Sequence, residues 1–265
     1  MIDYHLHTTR CCHATGTPAE YLEEAEKKGL VEIGFADHYP LGLLDFEPRN
    51  QVTMKPGELQ EYMEQVKALQ DQSQSVKVKL GIEVDYIPGT EGKLKKLLEE
   101  SAFDYVIGSI HFLDDWDFTH PFYMEDYKNL DLEQLYRRYY ELVGKVCQCG
   151  LFDIIGHIDV VKKFGYRPAG NLDAIRLETA RLLRETDTCL ELNTAGRDAP
   201  VGEFYPDREF LAMCCSEGVA ITLGSDAHAP EQVGRYFPEA LELLRKTGYR
   251  ELTVFEGRVK SKQPF

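Results

Sequence analysis

Residues 2–38 read IDYHLHTTRCCHATGTPAEYLEEAEKKGLVEIGFADH and contain the patterns of a strand, a helix and a second strand. Ile2–Leu6 and Glu32–Ala36 are short runs rich in apolar residues, which are typical of buried strands. Between them, Pro18–Lys28 has helical periodicity, and Thr17 supplies an N-cap directly before the proline. This order predicts two parallel strands joined by a crossover helix.

The same alternation continues along the rest of the chain. Further strands are predicted at Val78–Val84, Tyr105–Ile110, Asp153–Gly156, Leu190–Asn193 and Ala220–Gly224. Further helices are predicted at Glu58–Gln70, Glu91–Glu100, Leu132–Cys149, Leu172–Glu185, Arg208–Glu217 and Pro238–Thr247, followed by a short strand at Leu252–Phe255. About seven strand–helix units predict an α/β fold, either a barrel or a doubly wound sheet.

The segment after the first strand separates these two folds. A doubly wound nucleotide-binding sheet requires a glycine-rich turn, G-x-G-x-x-G, at this point, whereas residues 7–16 read HTTRCCHATG. The sequence therefore favours a barrel, whose functional residues are expected where the strands end. No linker or low-complexity tract divides the chain, so residues 1–265 are predicted to form a single domain.

The composition restricts the classes of function. Of the 265 residues, 43% are hydrophobic, which excludes a disordered chain. The net charge of −15 disfavours binding to nucleic acid or to anionic membranes, and no apolar run is long enough to span a bilayer. The seven cysteines and the absence of a signal-peptide pattern lead us to expect a soluble cytoplasmic protein. The sequence does not indicate an oligomeric state.

Seven of the eight histidines stand at or just after the end of a predicted strand. These are His5, His7, His13, His38, His111, His157 and His228. Glu83 lies near the end of the third predicted strand, and Asp226 follows the seventh. Because the carboxyl ends of parallel barrel strands lie on one rim, all nine side chains are expected to surround one cavity.

The spacing of these residues points to metal binding. His5 and His7 are two positions apart on a strand and so face the same side, and Asp226 and His228 repeat that spacing. Imidazole and carboxylate ligands suit zinc, iron or manganese. A single histidine is more often an ordinary surface or core residue, but seven strand-end histidines together favour a metal cluster. His120 lies in a polar loop and is interpreted as a loop residue.

These motifs resemble those of the PHP (polymerase and histidinol phosphatase) metallohydrolase family. The resemblance includes DYHLHTT, EIGFADHYP, GIEVDYIPG, DYVIGSIHFLDDWDF, GHIDVVKKFG, LELNTAGR and GSDAH, and therefore covers nearly the whole chain. It is most specific to the histidinol-phosphate phosphatase branch of the family. The resemblance implies a distorted TIM-like (β/α)7 barrel with three metal ions at the carboxyl-terminal rim.

The resemblance also implies how the ligands are shared. The first ion would be held by His5, His7, Glu83 and Asp226, the second by Glu83, His111 and His157, and the third by His13, His38 and His228. All nine positions carry residues that can ligate a metal. The family implies zinc, iron or manganese without selecting among them.

The implied reaction is hydrolysis of a phosphomonoester by a hydroxide between the first two ions. Such ions lower the pKa of bound water and neutralise phosphate oxygens. Arg197 is expected to clamp the phosphate, together with Lys162, which stands where the family usually has arginine. Asp226, or a solvent molecule, is expected to protonate the leaving group. The aromatic and acidic loop at 111–131 would suit a cationic group of a substrate.

Three functions are compatible with these features. The first is a phosphatase of histidine biosynthesis that converts L-histidinol phosphate and water into L-histidinol and phosphate. The second is a metal-dependent enzyme of other specificity, either a general small phosphomonoesterase or an exonuclease-like phosphodiesterase, the latter disfavoured by the acidic charge. The third is a non-catalytic metal-binding module, which the complete set of ligands disfavours. The expected partner is therefore a small phosphorylated substrate, with no nucleic acid and no membrane.

Overall fold

The computed structural model describes residues 1–265, in which eleven strands alternate with seven α-helices. The strands are β1 (Ile2–Leu6), β2 (Glu32–Phe35), β3 (Lys77–Asp85), β4 (Tyr105–Ser109), β5 (Phe112–Leu113), β6 (Trp116–Asp117), β7 (Ile154–Ile155), β8 (Cys189–Asn193), β9 (Ile221–Gly224), β10 (Glu251–Glu256) and β11 (Val259–Pro264). The helices are α1 (Pro18–Lys27), α2 (Leu59–Gln72), α3 (Glu91–Glu99), α4 (Leu132–Cys149), α5 (Asp173–Glu185), α6 (Arg208–Ser216) and α7 (Phe237–Thr247).

Seven of these strands form one parallel sheet in the order β1-β2-β3-β4-β7-β8-β9. The first and last strands meet where β1 ends. The amide of His7 donates to the carbonyl of Ala227 at 2.9 Å, and the amide of Ala227 donates to the carbonyl of His5 at 3.0 Å. These bonds nearly close the sheet, so the predicted distorted (β/α)7 barrel is confirmed and the doubly wound sheet is excluded.

An aromatic layer fills the barrel below the histidines. The ring of Tyr105 stacks on that of Tyr4 with centroids 4.8 Å apart, and its hydroxyl donates to the Tyr4 carbonyl at 2.7 Å. Phe255 of β10 packs against both rings. Gly34 and Gly81 make room for Tyr105, since a Cβ built on either glycine would lie within 2.3 Å of the tyrosine side chain. The β10–β11 hairpin therefore contributes to the packing of the barrel interior.

This packing predicts that Gly34→Ala destabilises the protein. A Cβ at Gly34 would lie 2.0 Å from the Tyr105 hydroxyl, so the buried ring has to move. Overpacking of this kind costs about 1–3 kcal/mol of unfolding free energy, which urea denaturation measures. Gly92→Ala in α3 is the control, because no atom lies within 4 Å of its Cβ and alanine favours the helix. Equal stability of Gly34→Ala and the parent protein would contradict this account.

Each predicted helix and strand begins and ends within two residues of the corresponding element in the structure. The short strand expected at Leu252–Phe255 is longer and pairs with β11, whose alternation of lysine and polar residues gives little strand signal. The two-residue strands β5 and β6 form a hairpin that was predicted only as a loop. None of the helices combines the length and apolar character needed to cross a membrane.

Candidate metal centre

Glu83 lies at the centre of the carboxyl-terminal end of the barrel. Its Oε1 is 2.9 Å from Nε2 of His157, and its Oε2 is 2.9 Å from Nδ1 of His38 and 3.4 Å from Nε2 of His5. The side chain is 1% exposed. One buried carboxylate therefore lies against imidazoles from β1 and from the segments after β2 and β7, so the structure brings these residues together on one rim, as the sequence predicts.

His111 and His157 face one another beside this carboxylate. Their Nε2 atoms are 3.1 Å apart, and Nε2 of His111 is 3.9 Å from Oε1 of Glu83. Two imidazole nitrogens and one carboxylate oxygen thus point toward a common position. These are the three residues that the family resemblance implies for the second ion.

The remaining ligands surround Asp226 and His228. Oδ1 of Asp226 is 3.2 Å from Nε2 of His7 and 3.5 Å from Nδ1 of His228. The His228 ring lies 4.2 Å from that of His7 and 4.5 Å from that of His13, measured between centroids. Every residue predicted as a metal ligand therefore belongs to one continuous cluster.

The cluster fits metal ions better than a hydrogen-bonded network. Buried Nε2 atoms of His5, His7 and His228, and Oε2 of Glu83, form no hydrogen bond of good geometry, although some of them lie within ion-pair distance of one another. Unpaired buried polar atoms are costly and rare in folded proteins. Ligand atoms of three such groups lie within 4.8 Å of one another: His5–His7–Glu83, His5–His157–Asp226 and His7–His38–His228. Nitrogen and carboxylate donors in these groups suit zinc, iron or manganese.

The electrostatics keep four of the nine candidate ligands in the protonation state that metals require, whereas neighbouring carboxylates outweigh burial and raise the pKa values of three others, His5, His7 and His111, which would lose a proton to a metal. Burial raises the pKa of Glu83 and of Asp226, but the neighbouring imidazoles outweigh burial and hold both pKa values well below their usual range. Burial and the nearby imidazoles lower the pKa of His13 to about 3, and the same effects lower that of His228. Ionised carboxylates and neutral imidazoles are the forms that bind cations.

Two buried carboxylates orient the ligands and were not predicted as part of the site. Oε1 of Glu191 is 2.6 Å from Nδ1 of His5, and its Oε2 accepts from the His157 amide at 2.7 Å. Asp85 is 2.8 Å from Nδ1 of His111. Carboxylates in this position fix the ring and raise its basicity toward a metal. Asp85 could have been found from its spacing, since it stands two residues after Glu83 and faces the same side of β3.

A cavity of about 350 Å³ opens over this cluster. Five of the ligand histidines line it, namely His13, His38, His111, His157 and His228. Asp85, Asp117, Phe112 and Lys163 form other parts of its wall. A cavity of this size accommodates a small molecule and places that molecule directly against the candidate metal ligands.

The structure corrects the expectation for Lys162. This side chain is 1% exposed, and its Nζ is 3.0 Å from Asp159, 3.2 Å from Glu203 and 2.8 Å from the carbonyl of Phe204. Lys162 does not line the cavity, and its charge instead neutralises the buried Asp159 and the half-buried Glu203. The next residue, Lys163, lines the cavity instead and forms no ion pair.

Arg197 is also placed differently from the expectation. Its Nη1 donates to the carbonyl of Gly202 at 2.9 Å, and its guanidinium lies over the rings of Phe204 and Tyr236. It lines a neighbouring cavity with Arg167 rather than the cavity of the histidines. Contacts with two aromatic rings hold it outside the metal cluster in this conformation.

Comparisons with known proteins agree with this site. The family model described as PHP domain matches residues 3–195. A probable histidinol-phosphatase from Deinococcus radiodurans is 40% identical over 254 residues, which cover 96% of each chain. The histidinol-phosphatase of Bacillus subtilis is 29% identical, and the match covers 91% of this chain and 98% of that protein.

The structure is similar to a crystal structure of histidinol phosphate phosphatase from Lactococcus lactis. That protein is complexed with zinc, L-histidinol and phosphate, and the TM-score between the two structures is 0.83. The match covers 98% of both chains at 26% sequence identity. From the fold, the ligand cluster and these relatives together, we conclude that the chain belongs to the PHP domain family.

Proposed function

We propose that this protein is a metal-dependent phosphatase that hydrolyses L-histidinol phosphate to L-histidinol and phosphate. The observation that carries the proposal is the set of nine candidate ligands, eight of them buried or half-buried, around one small cavity. The full-length similarity to a phosphatase that holds zinc, L-histidinol and phosphate supports the choice of substrate. The 40% identical relative named as a probable histidinol-phosphatase supports the same choice.

We assign three metal ions to the cluster. The first would be held by His5, His7, Glu83 and Asp226, the second by Glu83, His111 and His157, and the third by His13, His38 and His228. Such ions lower the pKa of bound water and neutralise phosphate oxygens. Zinc is favoured by the relative of known structure, while the nitrogen and oxygen donors also suit iron or manganese.

The protein's own side chains complete the site. We assign Lys163 to the phosphate, since it lines the cavity without an acidic partner. Burial lowers the pKa of this lysine, and a phosphate dianion bound beside it would favour its charged form. Asp226 stays ionised beside three imidazoles. Its carboxylate therefore suits holding the water that protonates the leaving alkoxide, rather than donating a proton itself.

A second, acidic part of the cavity wall suits a cationic group. Asp85 and Asp117 line it, and Phe112 and His120 are close along the chain and also border the cavity. Asp117 is held in place because its Oδ1 accepts from the amide and hydroxyl of Thr119. A molecule with phosphate at one end and an amine or imidazole at the other would match the charges of both walls.

Substrate competition tests the proposal. We expect the metal-replete protein to hydrolyse L-histidinol phosphate with a far higher kcat/KM than p-nitrophenyl phosphate, and to leave single-stranded DNA intact. Equal rates on both monoesters would overturn the assigned substrate in favour of a general phosphomonoesterase, and cleavage of DNA would favour a phosphodiesterase. A metal-loaded protein inert on all three would favour a binding module.

We further propose that the protein works in a reducing compartment such as the cytoplasm. All seven cysteines are free in the structure, and four of them are buried. Disulfides are the usual state of paired cysteines in secreted proteins, so unpaired thiols support this assignment.

A further inference from the structure

We propose that Arg235 is a positioning residue that holds Asp226 in the backbone conformation from which it binds metal. The proposal rests on the metal centre proposed above, but it does not depend on the identity of the substrate. Arg235 lies nine residues after Asp226, in the segment between β9 and α7. Its guanidinium contacts no side-chain atom of the candidate metal ligands and acts through main-chain carbonyls.

Asp226 adopts an unusual backbone conformation. Its φ angle is +51°, in the left-handed region that non-glycine residues rarely occupy. The turn brings its carboxylate to 3.2 Å from Nε2 of His7, directly after the end of β9. Since the conformation is unfavourable by itself, surrounding contacts have to maintain it.

The Arg235 guanidinium supplies such contacts. Its Nε donates to the carbonyl of Ser225 at 3.0 Å, and its Nη2 donates to the carbonyl of Asp226 at 2.9 Å. The third nitrogen, Nη1, is 2.9 Å from a carboxylate oxygen of Asp198. The side chain is 15% exposed, so water competes weakly for these bonds. The planar fork of an arginine can bind all three acceptors at once.

A second contact fixes the same turn from inside the barrel. Oδ1 of the buried Asp3 accepts from the Ser225 amide at 2.8 Å, and its Oδ2 accepts from the Gly234 amide at 2.9 Å. Asp3 therefore fixes the two ends of the segment that begins at Ser225. Asp3 leaves the carbonyls of that turn to other donors: Arg235 binds the Ser225 carbonyl and shares the Asp226 carbonyl with Nδ1 of His228, which lies 3.1 Å from it.

Asp198 holds the other side of Arg235. It also accepts from the Tyr236 hydroxyl, and it follows β8 in the segment that includes Ala195 and Ala199 of the cavity wall. Through this ion pair, the arginine connects the metal-binding turn to a second loop of the rim. Loss of the guanidinium should therefore loosen the ligand without removing it.

The test uses zinc affinity, which does not require substrate. For Arg235→Met, we expect zinc binding to the apo-protein, measured by competition with a chromophoric chelator, to weaken about 10–100-fold at the Asp226 site. Arg235→Lys should recover part of the affinity, because an ammonium can reach some of the same acceptors. Arg181→Met is the matched control, since this arginine is 59% exposed and pairs only with Glu217 on the surface.

Two results would overturn the proposal. One is a zinc affinity of Arg235→Met equal to that of the parent protein. The other is a lowered Tm with unchanged zinc affinity, which would make Arg235 merely structural. If Arg235→Met fails to fold, Asp198→Asn decides, because it removes the charge that anchors the guanidinium and leaves Arg235 itself in place. A smaller loss of zinc affinity supports the proposal, and unchanged affinity contradicts it. Failure of the proposed phosphatase activity would leave these outcomes intact.

Discussion

Glu83→Gln is expected to lower kcat/KM for phosphomonoester hydrolysis by at least about a thousandfold. A catalytic metal ion supplies several kcal/mol of transition-state stabilisation, and each 1.4 kcal/mol is a factor of ten in rate. Glu83 contacts His5, His38 and His157 from the centre of the cluster, so no other carboxylate can replace it. Glutamine has nearly the same shape but lacks the charge that binds cations.

Metal content separates loss of ligation from loss of folding. We expect the parent protein to retain close to three equivalents of metal after purification and Glu83→Gln to retain fewer, with an unchanged far-UV circular dichroism spectrum. Glu99→Gln is the control, since Glu99 is 64% exposed on α3, and it should match the parent protein in rate and metal content. A Glu83→Gln variant with full metal content and the parental rate would refute the assignment of Glu83 as a shared ligand.

The convergence of the ligands could be predicted because it depends on the topology of the fold. Parallel strands have their carboxyl ends at one rim, so residues as distant as His5 and His228 meet once the barrel is recognised. The positions of the ligands follow from strand ends, which hydrophobic patterns locate well. For this reason the fold and the location of the metal ligands could both be derived from the sequence.

The positions of the two lysine side chains, Lys162 and Lys163, could not be predicted in this way because irregular backbone precedes them. β7 is only two residues long, and both His157 and Asp159 have positive φ angles before the short 3-10 turn at Val160–Lys162. No strand or helix periodicity therefore tells which of two adjacent lysines faces the cavity. The packed structure pairs Lys162 with Asp159 and leaves Lys163 on the cavity wall.

Glu191 illustrates a different limit. A charged residue within an apolar strand predicts a buried polar contact, but the sequence of that strand does not indicate which residue is the partner. Its position beside His5 depends on Gly224 of the neighbouring strand, where a Cβ would lie 1.9 Å from Oε1 of Glu191. Such contacts between strands depend on the register of the sheet and on the absence of a Cβ at Gly224. Neither can be predicted from the hydrophobic pattern of a single strand.

Lys163→Met is expected to lower kcat/KM by about ten- to a hundredfold, mainly through KM. A hydrogen bond to a charged group contributes about 1.5–3 kcal/mol, and this corresponds to that range of rate. Stability should change little, because Lys163 has no ion pair to lose. Steady-state kinetics with L-histidinol phosphate and urea denaturation of the same preparation measure the two effects.

Lys162→Met is the matched control and should show the opposite pattern. Burial raises the pKa of Asp159 to about 6 even though Lys162 opposes this shift, so the carboxylate depends on the lysine at neutral pH. Removing one partner of a buried ion pair costs about 3–5 kcal/mol of unfolding free energy. KM should stay near the parental value in the protein that remains folded. If Lys162→Met raised KM and Lys163→Met did not, the phosphate contact would return to Lys162, and the buried ion pairs would have to break when substrate binds.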